Sequence, residues 1–191
     1  QVSADYTHPN LFLNSRVHLQ GYYRAQQTRF PTFDSRLFGG TDILQGYNQT
    51  DVLGSRLDIT TPIPVYGKPE IVWGMDFSSL HGAQSQSLYD QSTYDATGGR
   101  VYSKTGAEAS SPSRVFTSTA VFAQGEWTPL AALVLRGGVR YERVKVSSSD
   151  FTGGGSFLAA SSINFDTTVF NAGFVYHLLD PMDLFFNFSQ G

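Results

Sequence analysis

Between Thr119 and Val146 the sequence TAVFAQGEWTPLAALVLRGGVRYERVKV holds two alternating segments joined by one tight connection, and this limits what the chain can become. On the first arm Val121, Ala123, Gly125 and Trp127 fall on one face and Gln124 and Glu126 on the other. On the second, Leu133, Leu135, Gly137, Val139 and Tyr141 oppose Arg136, Gly138, Arg140 and Glu142. A period of two is the signature of a strand, so the stretch predicts a β-hairpin that is apolar on one face and charged on the other. A soluble sheet hides its apolar face under a second layer, whereas a membrane barrel shows that face to lipid and turns the charged one to an aqueous lumen. From Leu133 to Tyr141 a tilted strand climbs roughly 19 Å, close to the ~25 Å apolar band of an outer-membrane barrel. Tyr141 and Trp127 then mark the two interfaces. A convex, lipid-type face is expected for Trp127, Leu133, Leu135, Val139 and Tyr141, and a concave one for Arg136, Arg140 and Glu142.

Composition narrows the alternatives. The chain has 191 residues, 40% hydrophobic and 15% charged, ordinary values for a folded protein. Its longest apolar run, Leu130 to Leu135, is far short of the ~20 residues of a membrane helix, so a membrane form can only be a barrel. Fifteen Phe, ten Tyr and nineteen Gly favour strands. A net charge of −3 with scattered arginines gives no footprint for nucleic acid. There is no cysteine, hence no disulfide frame or thiolate site. His8, His18, His81 and His177 lack metal-ligand spacing, and no metal site or cofactor is expected. No nucleophile elbow, zinc-protease, P-loop or dinucleotide motif occurs, so the chain does not read as an enzyme.

Along the chain, Gln1 to Asn14 reads as the tail of a strand and a turn, and Ser15 to Gln27 as a strand. A second strand is expected over Ile43 to Thr61, a third over Glu70 to Leu80, and another near Thr167 to Leu178, with one opening at Leu184. Connections alternate long (Phe30 to Asp42, His81 to Arg114, Ser147 to Phe165) and short (Pro62 to Pro69, Thr128 to Ala132, Leu179 to Asp183), as external loops and periplasmic turns do. The triplet Gly153-Gly154-Gly155 reads as flexible loop before phosphate cradle.

Several ordered segments carry a family likeness. Phe122 to Gln124, a short turn and Gly137 to Tyr141 resemble paired strands of TonB-dependent outer-membrane receptors. Val72-Trp73-Gly74-Met75-Asp76, Phe170-Asn171-Ala172-Gly173 and Asn187-Phe188-Ser189-Gln190-Gly191 are similar to other strands of that family, in particular its ferric citrate-hydroxamate (aerobactin-type) siderophore receptors. The expected fold is all-β: part of a transmembrane antiparallel β-barrel wall of about seven hairpin-linked strands. On this reading residues 1–191 are a piece of the barrel domain, with the signal peptide, plug domain and remaining strands lying outside it. The resemblance implies an outer-membrane receptor that takes up a ferric siderophore and is energised by TonB through the plug, with outer-membrane lipid as its surroundings and no nucleic-acid partner. A passive porin-type barrel and a soluble all-β carbohydrate-binding domain are the alternatives.

Two groups of residues follow as candidates. Arg24, Arg56, Asp76, Arg136, Arg140 and Glu142 are expected to face the lumen, mostly as cross-strand or plug-contacting charges. Tyr89, Tyr94, Arg100, Tyr102, Lys104 and Arg114, around the longest connection, combine cations with rigid aromatics suited to an anionic, oxygen-rich chelate.

Overall fold

A computed structural model of the chain describes residues 1–153 and 155–190. Gly154, the centre of the glycine triplet, and Gly191 lie outside them. Twelve strands are numbered in order: β1 (Val2–His8), β2 (Arg16–Arg29), β3 (Phe33–Asp34), β4 (Ile43–Pro62), β5 (Glu70–Tyr89), β6 (Lys104–Ala109), β7 (Arg114–Leu130), β8 (Leu133–Ser148), β9 (Phe151–Gly153), β10 (Ser156–Leu158), β11 (Ser161–Leu179) and β12 (Met182–Ser189). Among the described residues one short α-helix, α1 (Gln91–Ala96), and one 3-10 helix (Ser35–Phe38) interrupt them. The long strands pair with their sequence neighbours in the order β1-β2-β4-β5-β7-β8-β11-β12, all antiparallel, as an open wall. β3 and β6 add to the long-loop ends of β4 and β5, and β9 pairs with β10 as a separate small hairpin.

Directly opposed residues in an antiparallel ladder share a face, so register assigns faces throughout. Trp127 stands across from Leu135, Val121 from Tyr141 and Ala123 from Val139. The same rows continue through Met75 and Leu57, through Trp73 and Ile59, and on the other side through Phe170 and Phe174. Arg56, Asp76 and Glu142 fall in one row of the opposite face. The apolar band also drifts along the strands. The Leu133 row reaches Tyr176 and Leu184, whereas Val17 on β2 aligns through Ile59, Trp73 and Ala123 with Val139. Such stagger accompanies tilted barrel strands.

A single layer has almost no interior. The buried apolar side chains among the described residues are Val17, Ile43, Val52, Ile59 and Ala120, while Trp73, Val139, Tyr141, Phe170 and Phe186 stay substantially exposed. Val17 and Ile59 lie where the β1–β2 connection folds back: Phe12 leans on Trp73 with ring centroids 6.4 Å apart, and Ser15 and Thr61 share a hydroxyl hydrogen bond of 2.8 Å. At the same end Trp127 Nε1 donates to the Tyr66 carbonyl at 2.9 Å, tying two neighbouring short turns together.

Gly74 is required by close approach. A Cβ there would overlap the Leu57 carbonyl oxygen, which is backbone and cannot swing away. Gly74→Ala in the full-length protein is therefore expected to part β4 from β5 locally and cost about 1–3 kcal/mol, read from urea unfolding in lipid vesicles. Unchanged unfolding would mean that the ladder relaxes freely at this point.

The wall differs from expectation mainly at its long-loop end. Eight strands form the path, in keeping with the expected wall of about seven, and the segment at the amino end is a full β1. β5 runs on to Tyr89, well past Leu80, and the stretch read as loop between His81 and Arg114 contains α1 and β6. β11 starts at Ser161, and β9 and β10 occupy part of the stretch read as loop before it. The cause is shared: past the apolar band both faces are polar, so hydrophobic alternation vanishes while backbone pairing, which needs no apolar face, continues.

Candidate functional site

The charged face carries a continuous chain of contacts. His18 lies 3.3 Å from Asp5 and 3.6 Å from Asp58, Arg56 binds Asp58 at 3.0 Å, and Asp76 stands 3.7 Å from Arg56. Arg140 then joins Asp76 at 2.6 Å and Glu142 at 3.1 Å, and Ser118 donates to Glu142 at 2.7 Å. Ridge residues come from β1, β2, β4, β5, β7 and β8, each brought into line by the two-residue period. Nearer the short turns Arg136 pairs with Glu126 at 2.7 Å. Of the six charges singled out on the alternation, Arg24 has no ion-pair partner among the described residues, and the other five sit in these pairs. Asp76 is the weak point: Oδ1 is buried and accepts no hydrogen bond, so among the described residues Arg140 supplies the carboxylate's one side-chain donor.

At the long-loop end the candidate residues divide between the two faces. Tyr89 shares the apolar side of β5 with Ser87 and Met75, and there it meets Tyr102 edge-on at 5.7 Å. Tyr102 in turn packs against Tyr94 at 5.5 Å, and the Arg36 guanidinium lies over the Tyr94 ring at 6.0 Å. Beneath them Gln45, 6% exposed, accepts hydrogen bonds on Oε1 from Arg29, Tyr47 and Tyr89 and donates from Nε2 to the Phe30 carbonyl. A buried carboxamide satisfied at both ends is a fixed peg. The tyrosines thus spend their faces on one another. Arg100 and Lys104 are exposed near this cluster.

Arg114 lies elsewhere. It pairs across Gly82 and Ser148 on the charged face and lines a depression with Asn48, Thr50, Gln84, Ser111 and Phe116. Gln84 is invisible to a reading that ends the strand at Leu80. Continuing the period of Asp76 to Gln84, and of Arg56 back to Asn48, would have found the pair.

Arg36 was likewise missed, because its role depends on two loops meeting. It binds Asp34 at 2.7 Å and Asp95 at 2.8 Å, and Gln91 Nε2 donates to the Thr41 carbonyl beside it. Both carboxyls are held below the ordinary carboxylate range, chiefly by hydrogen bonds from Arg36. A lowered folded-state pKa contributes stability above the unfolded value that is lost as pH falls through the folded one. The loop-to-loop tie should therefore hold at neutral and mildly acidic pH and open only below about pH 4, the ordinary carboxylate value. Hydrogen exchange of residues 35–42 and 91–97 in the full-length protein checks this. Protection that fades already at pH 6, or that survives Arg36→Ala, would disprove the tie.

Comparison with known proteins decides the family. The family model for the TonB-dependent receptor-like β-barrel matches residues 1–191. This chain belongs to the TonB-dependent receptor β-barrel family. It is similar to the ferric aerobactin receptor of Klebsiella pneumoniae, 27% identical over 206 residues covering 100% of the chain and 28% of that protein. The rhizobactin receptor of Rhizobium meliloti (strain 1021) is also 27% identical over 206 residues, with 100% of the chain and 27% of the relative covered. Among solved structures the copper transporter OprC superposes with a TM-score of 0.72 at 19% identity, over 96% of this chain and 28% of that one. The chain thus spans little more than a quarter of the length of the relatives it matches. As a TonB-dependent receptor barrel segment it is part of a wall, and its family is one of receptors and transporters.

Proposed function

We propose that the protein containing this wall is an outer-membrane receptor that captures a ferric siderophore of the citrate-hydroxamate class and, energised by TonB through a plug domain, admits it to the periplasm. The observation that carries the reading is the Arg114 depression. It puts one cation among the carboxamides of Asn48 and Gln84, the hydroxyls of Thr50 and Ser111 and the ring of Phe116, on the charged face at the long-loop end. A chelate of this class presents carboxylate and hydroxamate oxygens around its iron. A guanidinium with neutral donors can hold those oxygens without competing for the metal, since no thiolate or imidazole is offered. The ferric ion is cargo, and no resident cofactor is called for. Two of the relatives are named as receptors for aerobactin and rhizobactin, which supports the same class.

In this reading the apolar face meets lipid, the charge ridge lines the lumen, and the long connections lie outside the cell. Arg100 and Lys104 then serve as outer cations that raise the local concentration of an anionic chelate, while Tyr89, Tyr94 and Tyr102 support the loops. The test is binding of a ferric citrate-dihydroxamate chelate to the full-length receptor in detergent, followed by tryptophan quenching, with the iron-free chelate as comparison. Saturable binding that prefers the ferric form is the expected result. Absence of binding, or equal binding of iron-free chelate, would overturn the reading.

A further inference from the structure

Between the charge ridge and the Arg114 row, before the strands turn polar on both faces, the charged face carries an apolar belt. In one row Val52, Leu80, Phe116, Val146 and Ile163 stand next to one another from β4 to β11, and on β2 that row ends at Arg24. Val144 and Phe165 widen the belt on β8 and β11, one row nearer the ridge. The row above it is polar again, with Thr50, Gly82, Arg114 and Ser148. No register shift intervenes, so these side chains share the face of Arg56, Asp76 and Glu142. Val52 is buried, but Phe116, with a strand on either side of it, remains 41% exposed. An apolar row open to an aqueous lumen is unfavourable unless something apolar covers it.

The shape and surroundings of the belt say what kind of occupant it suits. Rows on one face lie ~7 Å apart along a strand and strands lie ~4.8 Å apart, so the belt is one to two rows wide and ~19 Å long from Val52 to Ile163. Such a strip is far smaller than the ~800 Å² that each side of a stable protein contact covers. It is also continuous with the Arg114 depression. Phe116 lines both, and Gly82 places no side chain between them: a Cβ there would stand 3.8 Å from Leu80 Cδ2. A narrow apolar strip that opens beside one cation fits an unbranched chain with an anionic head, the apolar part supplying affinity and the cation fixing its orientation.

We infer that the belt holds the alkyl chain of an acylated ferric chelate whose anionic head is bound at Arg114. The inference rests on the capture reading above and narrows its cargo to an amphiphilic chelate. It makes Leu80 and Val146 specificity residues that read the chain, while Arg114 reads the head.

Full-length receptor in lipid nanodiscs is titrated with two ferric citrate-dihydroxamate chelates that differ only in one acyl group, octanoyl or acetyl, and empty nanodiscs correct for partition into lipid. The wild type is expected to bind the octanoyl chelate about tenfold or more tightly than the acetyl one, the gain of burying several methylene groups. Leu80→Asn with Val146→Thr should bring the two affinities within about twofold of each other. Leu80→Met with Val146→Ile, and Val72→Thr nearer the short turns, should keep the full ratio. Equal affinities in the wild type, or a ratio retained in Leu80→Asn with Val146→Thr, would overturn the chain site and leave the belt as a surface for the plug. Acetyl chelate that binds with no gain from the longer chain defeats this inference alone, whereas binding of neither chelate defeats the capture reading and this inference with it. Each variant is first checked for a native thermal transition. Should the Leu80→Asn pair fail that check, Val146→Thr alone takes its place, with about a threefold drop in the ratio expected and an unchanged ratio counting against the site.

Discussion

Val139→Arg in the full-length receptor, refolded into lipid vesicles, is expected to cost about 2–4 kcal/mol of folding free energy, because it sets a charge near the middle of the apolar band, between the Trp127 and Tyr141 rows. Val139 is flanked by Ala123 on β7 and Phe170 on β11, so the new guanidinium has apolar neighbours on both sides and no carboxylate within its row. Arg140→Gln on the opposite face is a different kind of loss. It removes the one side-chain donor that Asp76 has among the described residues and leaves a carboxylate with a buried, unmatched oxygen, so about 1–3 kcal/mol is expected in place of the near-neutral change usual for a water-facing charge. Urea titrations of the two variants check both numbers, and a costlier Arg140→Gln than Val139→Arg would reverse the assignment of the faces.

Arg114→Ala should weaken binding of a ferric citrate-dihydroxamate chelate about tenfold or more, since a charge-assisted contact to an anionic ligand contributes ~1.5–3 kcal/mol. Stability should change little, because Arg114 is exposed and holds no ion pair among the described residues. Tyr102→Ala offers the contrast: it removes the central ring between Tyr89 and Tyr94, so the loops should loosen while affinity falls less than in Arg114→Ala. Isothermal titration of both variants decides. A larger loss of affinity in Tyr102→Ala would move the capture site to the loop cluster.

The architecture was legible wherever one face was apolar. The hairpin from Val121 to Tyr141 could be read to the residue, because each side chain there is sorted between lipid-like and water-like surroundings and a slip of one would misplace them all. Legibility stopped at Leu80, where the sorting stops: Ser85, Gln86 and Ser87 carry no contrast, yet their backbone pairs with Tyr47, Gly46 and Gln45 in turn. The candidate site inherited that limit. Arg114 was visible as a cation beside a long connection, and Asn48 lies within the strand expected over Ile43 to Thr61, but Gln84 reaches them only once β5 is known to continue past Leu80. The rings of Tyr89, Tyr94 and Tyr102 meet one another, and the face of Tyr89 cannot be counted until β5 is known to reach it. The Arg36 tie was beyond reach, since Asp34 and Asp95 belong to different connections and nothing local to either announces the other.

That tie binds the history of the two connections together. A segment held only by its own strand ends can be lengthened, shortened or exchanged with that of a related barrel, and the rest of the wall is indifferent. Here residues 35–42 and 91–97 share one guanidinium, so a graft of either alone arrives without its counter-charge, and a change at Asp95 is felt at Arg36. Diversification at this rim should therefore proceed by paired substitutions, and a chimaera that transplants both segments at once should fold where either single transplant falters.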